Sequence, residues 1–150
     1  MRVSQHITIS VIASSGAYLL TKSTGLSLSM LISGIFIDLD HIPDYFVNIG
    51  KIKFDFKDFI RKCDSYELKK VYLFLHSFEL LIILALITYF YRNSILIGIT
   101  LGLTIHILLD AIFNYGHTFT YFFIYRYMKK FELKTLYRVE EVPALKNKNK

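Results

Sequence analysis

Two long apolar runs constrain the fold of this chain more than any other feature of its sequence. Residues 71–91 and Ser94–Phe113 each hold about 20 residues with almost no charge, the length that an α-helix needs to cross the roughly 30 Å hydrocarbon layer of a membrane. Only Arg92 and Asn93 lie between the two runs. The pattern therefore predicts two transmembrane helices joined by a tight turn.

Two shorter apolar runs precede them, at residues 7–20 and 26–37, and Lys22-Ser23-Thr24-Gly25 separates these as a hairpin. Their lengths suit re-entrant segments better than full spans. Mean hydropathy is +0.41 and 53% of the residues are hydrophobic, which is too apolar for an ordinary soluble domain of this size. The predicted fold is all-α: an integral-membrane bundle of about four transmembrane or partly re-entrant helices. A signal peptide at residues 1–17 is disfavoured, because Arg2 would be its only basic residue.

The distribution of basic residues predicts the orientation of this bundle. Of the 18 Lys and Arg residues, all but Lys22 and Arg92 lie at the start of the chain, in residues 51–70 or in residues 126–150. Because basic loops stay on the cytoplasmic side, both ends and the middle loop should be cytoplasmic, in a multi-pass inner-membrane protein. The net charge of +6 then suits anionic lipid, and no nucleic-acid partner is expected.

Two segments are predicted to lie at the membrane surface. In KIKFDFKDFIRK (51–62) Lys and Phe interleave, which favours an interfacial amphipathic loop over direct substrate recognition. TFTYFFIYRYMKK (118–130) is typical of an aromatic belt that runs into a basic exit. Residues 1–130 are therefore predicted to form the membrane-embedded domain and residues 131–150 a basic cytoplasmic tail, which ends in a disordered KNKNK.

On this topology every histidine falls on the cytoplasmic side, together with the acids that interrupt apolar sequence. An ionised aspartate at bilayer depth costs about 3 kcal/mol unless it is paired or coordinated, so Asp110 needs a partner. His106 precedes it by four residues, which places both side chains on one helix face. The other histidines are expected to converge on this pair, from His6, His41, His76 and His117.

The stretch DLDHIPD (38–44) supplies further candidate ligands at the end of the second apolar run. Asp38, Asp40 and Asp44 offer oxygen ligands and His41 a nitrogen ligand. Pro43 restricts the residue before it to extended conformations, which predicts a fixed turn. The stretch lacks the glycine and the further acid of an EF-hand.

The residue types indicate which ion such a centre would hold. Imidazoles mixed with carboxylates suit zinc, or manganese or iron, whereas magnesium and calcium sites need few histidines. The candidates outnumber the ligands of one tetrahedral ion, so two or more ions bridged by Asp110 or Asp40 are expected. Ser77 beside His76 lacks a nucleophile elbow, which argues against a serine hydrolase.

Four elements together resemble a known family: the early His6, DLDH (38–41), HS (76–77) and GLTIHILLD (102–110). The chain looks like the small integral-membrane metal-dependent hydrolases of bacteria and archaea, of the LexA-regulated inner-membrane type. It is more distantly similar to zinc-dependent phospholipase C. That resemblance implies metal ligands at His6, Asp40 or Asp44, His76, His106, Asp110 and His117. The chain departs from the family pattern at Ile37, where proline is common, and at Val71-Tyr72, where a His-Arg pair is common.

These features predict a membrane-bound metal-dependent hydrolase that cleaves a phosphoester of a lipid at the cytoplasmic face. The expected partners are membrane lipid and an anionic, phosphate-containing substrate. The candidate catalytic carboxylates are Asp40, Asp44 and Glu79. A non-catalytic metal-binding membrane protein, a sensor or scaffold, is the alternative. A phosphatidyl transferase is disfavoured, because DLDHIPDYF lacks the Gly, Ala and Arg of the DxxDGxxAR signature.

Overall fold

The computed structural model describes residues 3–51 and 54–142, and helices dominate this part of the chain. Within these ranges it contains no β-strand, only isolated bridges at Lys70–Glu132 and Gly116–Tyr137. The helices are α1 (Val3–Thr21), α2 (Thr24–Phe36), α3 (His41–Ile49), α4 (Phe56–Asp64), α5 (Phe78–Tyr91), α6 (Ser94–Phe113), α7 (Phe123–Met128) and α8 (Leu133–Leu136), with 3₁₀ turns at Ile37–Asp40 and Val139–Glu141. The all-α prediction is confirmed for the described residues. The predicted KNKNK tail lies outside them.

Polar side chains cap the first turns of α2 and α6, which begin at the two positions where the sequence predicted a break between apolar runs. Ser23 caps α2 by accepting a hydrogen bond from the amide of Leu26. Asn93 caps α6 by accepting one from the amide of Ile95 at 2.8 Å. These side chains satisfy amides that have no partner inside their own helix. The predicted tight turn at Arg92-Asn93 is confirmed, since α5 ends at Tyr91 and α6 begins at Ser94.

Two stretches are long and apolar enough to cross a membrane: Thr24–Ile49, which runs through α2 and α3, and Ser94–Phe113, which is α6. They pack closely because Gly98 and Gly102 of α6 face α2 without a side chain. A Cβ at Gly102 would overlap the hydroxyl of Ser33 and the carbonyl oxygen of Met30. Such small-residue contacts let helix backbones approach where apolar burial alone gives little preference between helices.

The predicted helix over residues 71–91 is wrong in its first seven residues, because α5 begins at Phe78. Residues 71–77 are not helical, since side chains from α3 and its preceding turn bind their amides. Asp44 accepts from the amide of Tyr72 at 2.9 Å, and Asp40 accepts from the amide of Leu75 at 2.6 Å. Ser77 then caps α5. The apolar composition of this segment reflects buried side chains such as Val71 and Leu73.

The predicted fixed turn at DLDHIPD is also wrong, because the chain continues from α2 through a 3₁₀ turn directly into α3. Pro43 lies in the first turn of α3, where the missing N–H costs little. The 3₁₀ pitch places Asp38 and His41, three residues apart, on the same side of the chain. Asp38, Asp40 and Asp44 are therefore held on a continuous helical rod.

Residues 131–142, predicted as the start of a tail, belong to the folded body. Leu133, Leu136 and Tyr137 are buried against Leu68, Val71 and Leu73. The buried hydrophobic side chains hold this segment against the rest of the fold, whereas its charged side chains remain exposed. The strongly amphipathic α4 occupies the segment that the sequence predicted to be interfacial.

Candidate metal centre

Six of the predicted ligands meet in two adjacent groups that could hold a metal ion. One group is His6 from α1 with His106 and Asp110 from α6, and all three are buried. The other is Asp38 and His41 from the 3₁₀ turn and α3 with His76, which precedes α5. Within each group the candidate ligand atoms all lie within 4.8 Å of one another.

Two carboxylates connect the groups. An Asp38 oxygen lies 3.2 Å from His106 Nε2 and 3.6 Å from His76 Nε2. An Asp110 oxygen lies 3.7 Å from His106 Nε2 and 3.9 Å from His76 Nε2, while the other Asp110 oxygen is 2.9 Å from His6 Nε2. Each carboxylate therefore lies close to histidines of both groups. The imidazoles of His6 and His106 stack at a centroid distance of 3.9 Å.

The two ring nitrogens of His106 have different environments. Its Nδ1–H donates to the carbonyl oxygen of Gly34 at 2.8 Å, which leaves the lone pair on Nε2. His76 repeats the arrangement, with Nδ1 3.4 Å from Asp40. The Nε2 atoms of both rings are buried and make no hydrogen bond with any described residue. Metal-binding histidines use this pattern, in which one nitrogen is held by a carbonyl or carboxylate and the other coordinates. The residues present therefore fit a divalent cation.

The charges of the side chains in the centre also favour a bound cation. The side chains of Asp40 and Asp110 are largely buried, and burial of carboxylates without a compensating charge is unfavourable. Burial lowers the pKa of His76, but the nearby carboxylates of Asp38 and Asp40 outweigh this and raise that pKa to about 9. Without a cation, a proton on His76 supplies part of the missing positive charge. A bound cation would supply it instead.

Asp40 and Asp44, which the sequence predicted as ligands or catalytic groups, lie outside both ligand groups. Together with Asn48 they lie four residues apart along one face of the rod and bind the backbone of residues 69–75. Asn48 accepts from the amides of Lys69 and Lys70 and donates to the Lys70 carbonyl at 2.7 Å. Asp40 also contacts the Nδ1 side of His76, away from Nε2. The Asp40 carboxylate therefore positions His76, while Asp44 and Asn48 hold the segment that leads to it.

Arg126 of α7 binds carbonyl groups of the same segment, and the sequence did not predict this role. It is 0% exposed and donates to the carbonyls of Leu73 at 2.7 Å, His76 at 2.9 Å and Thr120 at 2.9 Å. The sequence placed this arginine in a predicted aromatic belt, where a basic residue would normally reach water. No local pattern distinguishes a buried arginine from an exposed one there.

Two other predicted residues lie away from the ligand groups. Glu79 accepts hydrogen bonds from the amides of Phe123 and Ile124 at 2.9 and 3.1 Å, so both of its oxygens cap the start of α7. Its predicted catalytic role stays a prediction. His117 follows the end of α6, which stops at Phe113, and its exposed side chain lines a separate depression with Arg138. The helix ends too early to keep His117 on the face of Asp110.

No protein-family model, curated protein or solved structure matches this chain.

Proposed function

We propose that this protein is a membrane-bound metal-dependent hydrolase that cleaves a phosphoester of a lipid or lipid-like substrate at the cytoplasmic face. One observation carries the proposal: His76 and His106 direct unpartnered Nε2 atoms at the Asp38 and Asp110 carboxylates while their Nδ1 atoms are held by other groups. The resemblance of His6, DLDH, HS and GLTIHILLD to the pattern of the inner-membrane hydrolases favours the same class.

The ligand set supports two divalent ions, of which zinc is the expected one and manganese or iron are the alternatives. His6, His106 and Asp110 would hold the first ion, and Asp38, His41 and His76 the second. Asp38 and Asp110 lie near both groups, so either carboxylate could bridge. Bound divalent cations lower the pKa of water and stabilise negative charge on phosphoryl oxygens.

The residues of the chain would supply the remaining requirements for hydrolysis. His6, Asp38, His41 and Asp110 all line a large cavity, and Asp38 and His41 keep 21% and 25% of their side chains exposed. Substrate and water would therefore reach the centre on the side of these two residues. Asp40 and Gly34 hold the orientation of His76 and His106, so the centre needs little rearrangement when substrate arrives.

The membrane location is supported by the two apolar stretches and by the position of the centre between them. Asp110 lies in the last turn of α6, near the end that is opposite to Arg92 and Asn93. Most basic residues belong to the chain start and to residues 51–70 and 126–150, which adjoin the helix ends nearest the centre. Their position supports a cytoplasmic orientation of that side. A centre at that depth would meet the headgroup region of the lipid.

The test is to purify the protein in detergent and measure release of phosphorylated headgroup from phospholipids. We expect metal-dependent release that is lost in His106→Ala and on chelation, and retained in His117→Ala, which changes a histidine outside both groups. Release that survives both chelation and His106→Ala would refute the proposal. Bound metal with no release across a broad phosphoester panel would instead indicate the non-catalytic metal-binding alternative.

A further inference from the structure

A cavity of about 1180 Å³ opens onto the candidate metal centre. Its walls include the start of α1, the second half of α4, the residues that follow α4, and the end of α6 with Asn114 and Tyr115. The cavity therefore lies at the end of the helices that is away from the turns at Thr21–Thr24 and Tyr91–Ser94. In the proposed membrane orientation, this end is the aqueous one.

The position and size of the cavity define which part of a substrate it would hold. It lies at the end of α6, where the proposed orientation places the lipid headgroups, so it would receive the polar headgroup. Ligand pockets commonly measure about 300–1,000 Å³, whereas this cavity is larger. A headgroup as small as ethanolamine would leave most of the space filled only by water.

The walls are mostly apolar, with side chains such as Ile60 and Leu68, and carry a smaller polar part. Aromatic rings from Phe59, Tyr66 and Tyr115 line it beside the hydroxyl groups of Ser4 and Ser65. Aromatic rings can pack against the C–H faces of a cyclic polyol, while hydroxyl groups exchange hydrogen bonds with its hydroxyls. This combination suits a ring that carries many hydroxyl groups.

The charged side chains in the walls limit the net charge of the headgroup that the cavity would bind. Among the described residues that line the cavity, the lysine and arginine side chains are Lys62 and Arg61, and both are already paired. Lys62 is 2.8 Å from Asp58, and Arg61 is 2.5 Å from Asp58 and 3.3 Å from Glu67. Additional phosphate groups would also meet the negative charge of Asp64, which lines the same cavity. The walls therefore favour a neutral ring over a strongly anionic one.

We propose that the cavity binds a neutral, polyhydroxylated ring headgroup of the inositol or sugar type, attached through the phosphoester that the metal centre would cleave. This proposal rests on the proposed function for the identity of the reaction. The cavity would hold the ring, and a cation bound by the ligands at its inner wall would hold the phosphate.

The experiment is calorimetric titration of the metal-loaded protein in detergent with four soluble probes: inorganic phosphate, phosphoethanolamine, myo-inositol 1-phosphate and inositol trisphosphate. Metal content is measured on the same samples. We expect myo-inositol 1-phosphate to bind at least about tenfold more tightly than phosphoethanolamine, because only the ring fills the cavity. The trisphosphate should gain nothing over the monophosphate.

Two tryptophan substitutions separate the cavity from the metal centre, in a chain that has no tryptophan of its own. Ile60→Trp fills part of the cavity wall and should abolish the preference for the ring without changing the affinity for inorganic phosphate. Leu86→Trp, on the exposed face of α5, should change neither.

Equal affinities for the first three probes would overturn the proposal, as would a ring preference that survives Ile60→Trp at normal metal content. Tighter binding of the trisphosphate would also overturn it, because the paired cations would then be available. A protein that prefers the ring phosphate but releases no headgroup from lipid would support the headgroup site and refute the hydrolase, so the two failures are distinguishable.

Discussion

The imidazole of His106 donates its Nδ1–H to the carbonyl oxygen of Gly34, at 2.8 Å, across the contact between α6 and α2. The carbonyl fixes which nitrogen carries the proton, and the Nε2 lone pair then faces Asp38 and Asp110. The geometry of the candidate metal centre is thus connected to the packing of the two apolar helices. Helix packing and metal affinity should change together.

Gly102→Ala tests the packing half of this connection. The added methyl group would meet Ser33 and the carbonyl of Met30, so α2 and α6 must separate. Overpacking of this kind costs about 1–3 kcal/mol. We expect a lower thermal-unfolding midpoint in detergent and weaker metal binding.

The matched control is Gly16→Ala in α1, where nothing lies within 4 Å of the added Cβ. Alanine favours a helix interior by up to about 1 kcal/mol over glycine, so this variant should be as stable as the parent or more so. Equal behaviour of the two variants would mean that the close approach of α2 and α6 is not maintained in solution.

Asp40→Asn tests whether Asp40 positions His76 or serves as a metal ligand. The amide retains an oxygen for the Leu75 amide but loses the negative charge beside His76 Nδ1. Loss of such a supporting carboxylate lowers metal affinity about 10–100-fold and leaves the number of bound ions unchanged. Competition with a chromophoric chelator measures the affinity, and Glu141→Gln, which changes a surface carboxylate paired with Arg138, is the control. A loss of stoichiometry in Asp40→Asn would instead make Asp40 a ligand.

Arg126→Met tests the buried support behind His76. The carbonyls of Leu73, His76 and Thr120 would lose their donors, and each buried unsatisfied group costs about 1–3 kcal/mol. We expect a large fall in the unfolding midpoint, measured by thermal denaturation followed by circular dichroism. Arg61→Met is the control, because its side chain is 58% exposed and its ion pairs are on the surface. Comparable destabilisation by both variants would contradict the buried hydrogen-bond network.

The thiol of Cys63 provides a pH-dependent prediction for α4. Burial disfavours the thiolate and raises the pKa of Cys63 to about 12 from the usual value of 9.0. Because only the thiolate reacts, alkylation by iodoacetamide at pH 8 should be about a thousandfold slower in the folded protein than in the denatured chain, and should accelerate up to pH 12. Rapid reaction at pH 8 would indicate that α4 does not pack as described.

The sequence predicted the convergence of the histidines better than the path of the backbone that carries them. His106 and Asp110 are four residues apart in an apolar run, so their common face follows from helical periodicity alone. His76 was assigned to a helix because hydropathy cannot distinguish a transmembrane start from an irregular segment with buried apolar side chains. That segment and the two residues before it are held by Asp44, Asn48 and Arg126. Within residues 69–77, the groups that these three side chains bind lie 28, 21 or 22, and 50 or 53 residues away from them.

Pro43 was misread for a related reason. A proline after DLDH indicates a turn if the helix before it has ended, and a first helical turn if another helix is beginning. The choice between these two depends on the binding of residues 69–75 along α3, which is a tertiary interaction. The contacts of Glu79 with the amides of α7 likewise depend on the tertiary fold, which its place in the sequence does not indicate.

The most direct test of the central claim is elemental analysis of the purified protein after equilibration with micromolar zinc and removal of free metal. We predict about two zinc ions per chain, a loss of at least one in His106→Ala, and no change in His117→Ala, whose side chain lies outside both groups. A chain that retains no metal, or that retains the same amount in His106→Ala as in the parent, would contradict a metal centre built from these residues.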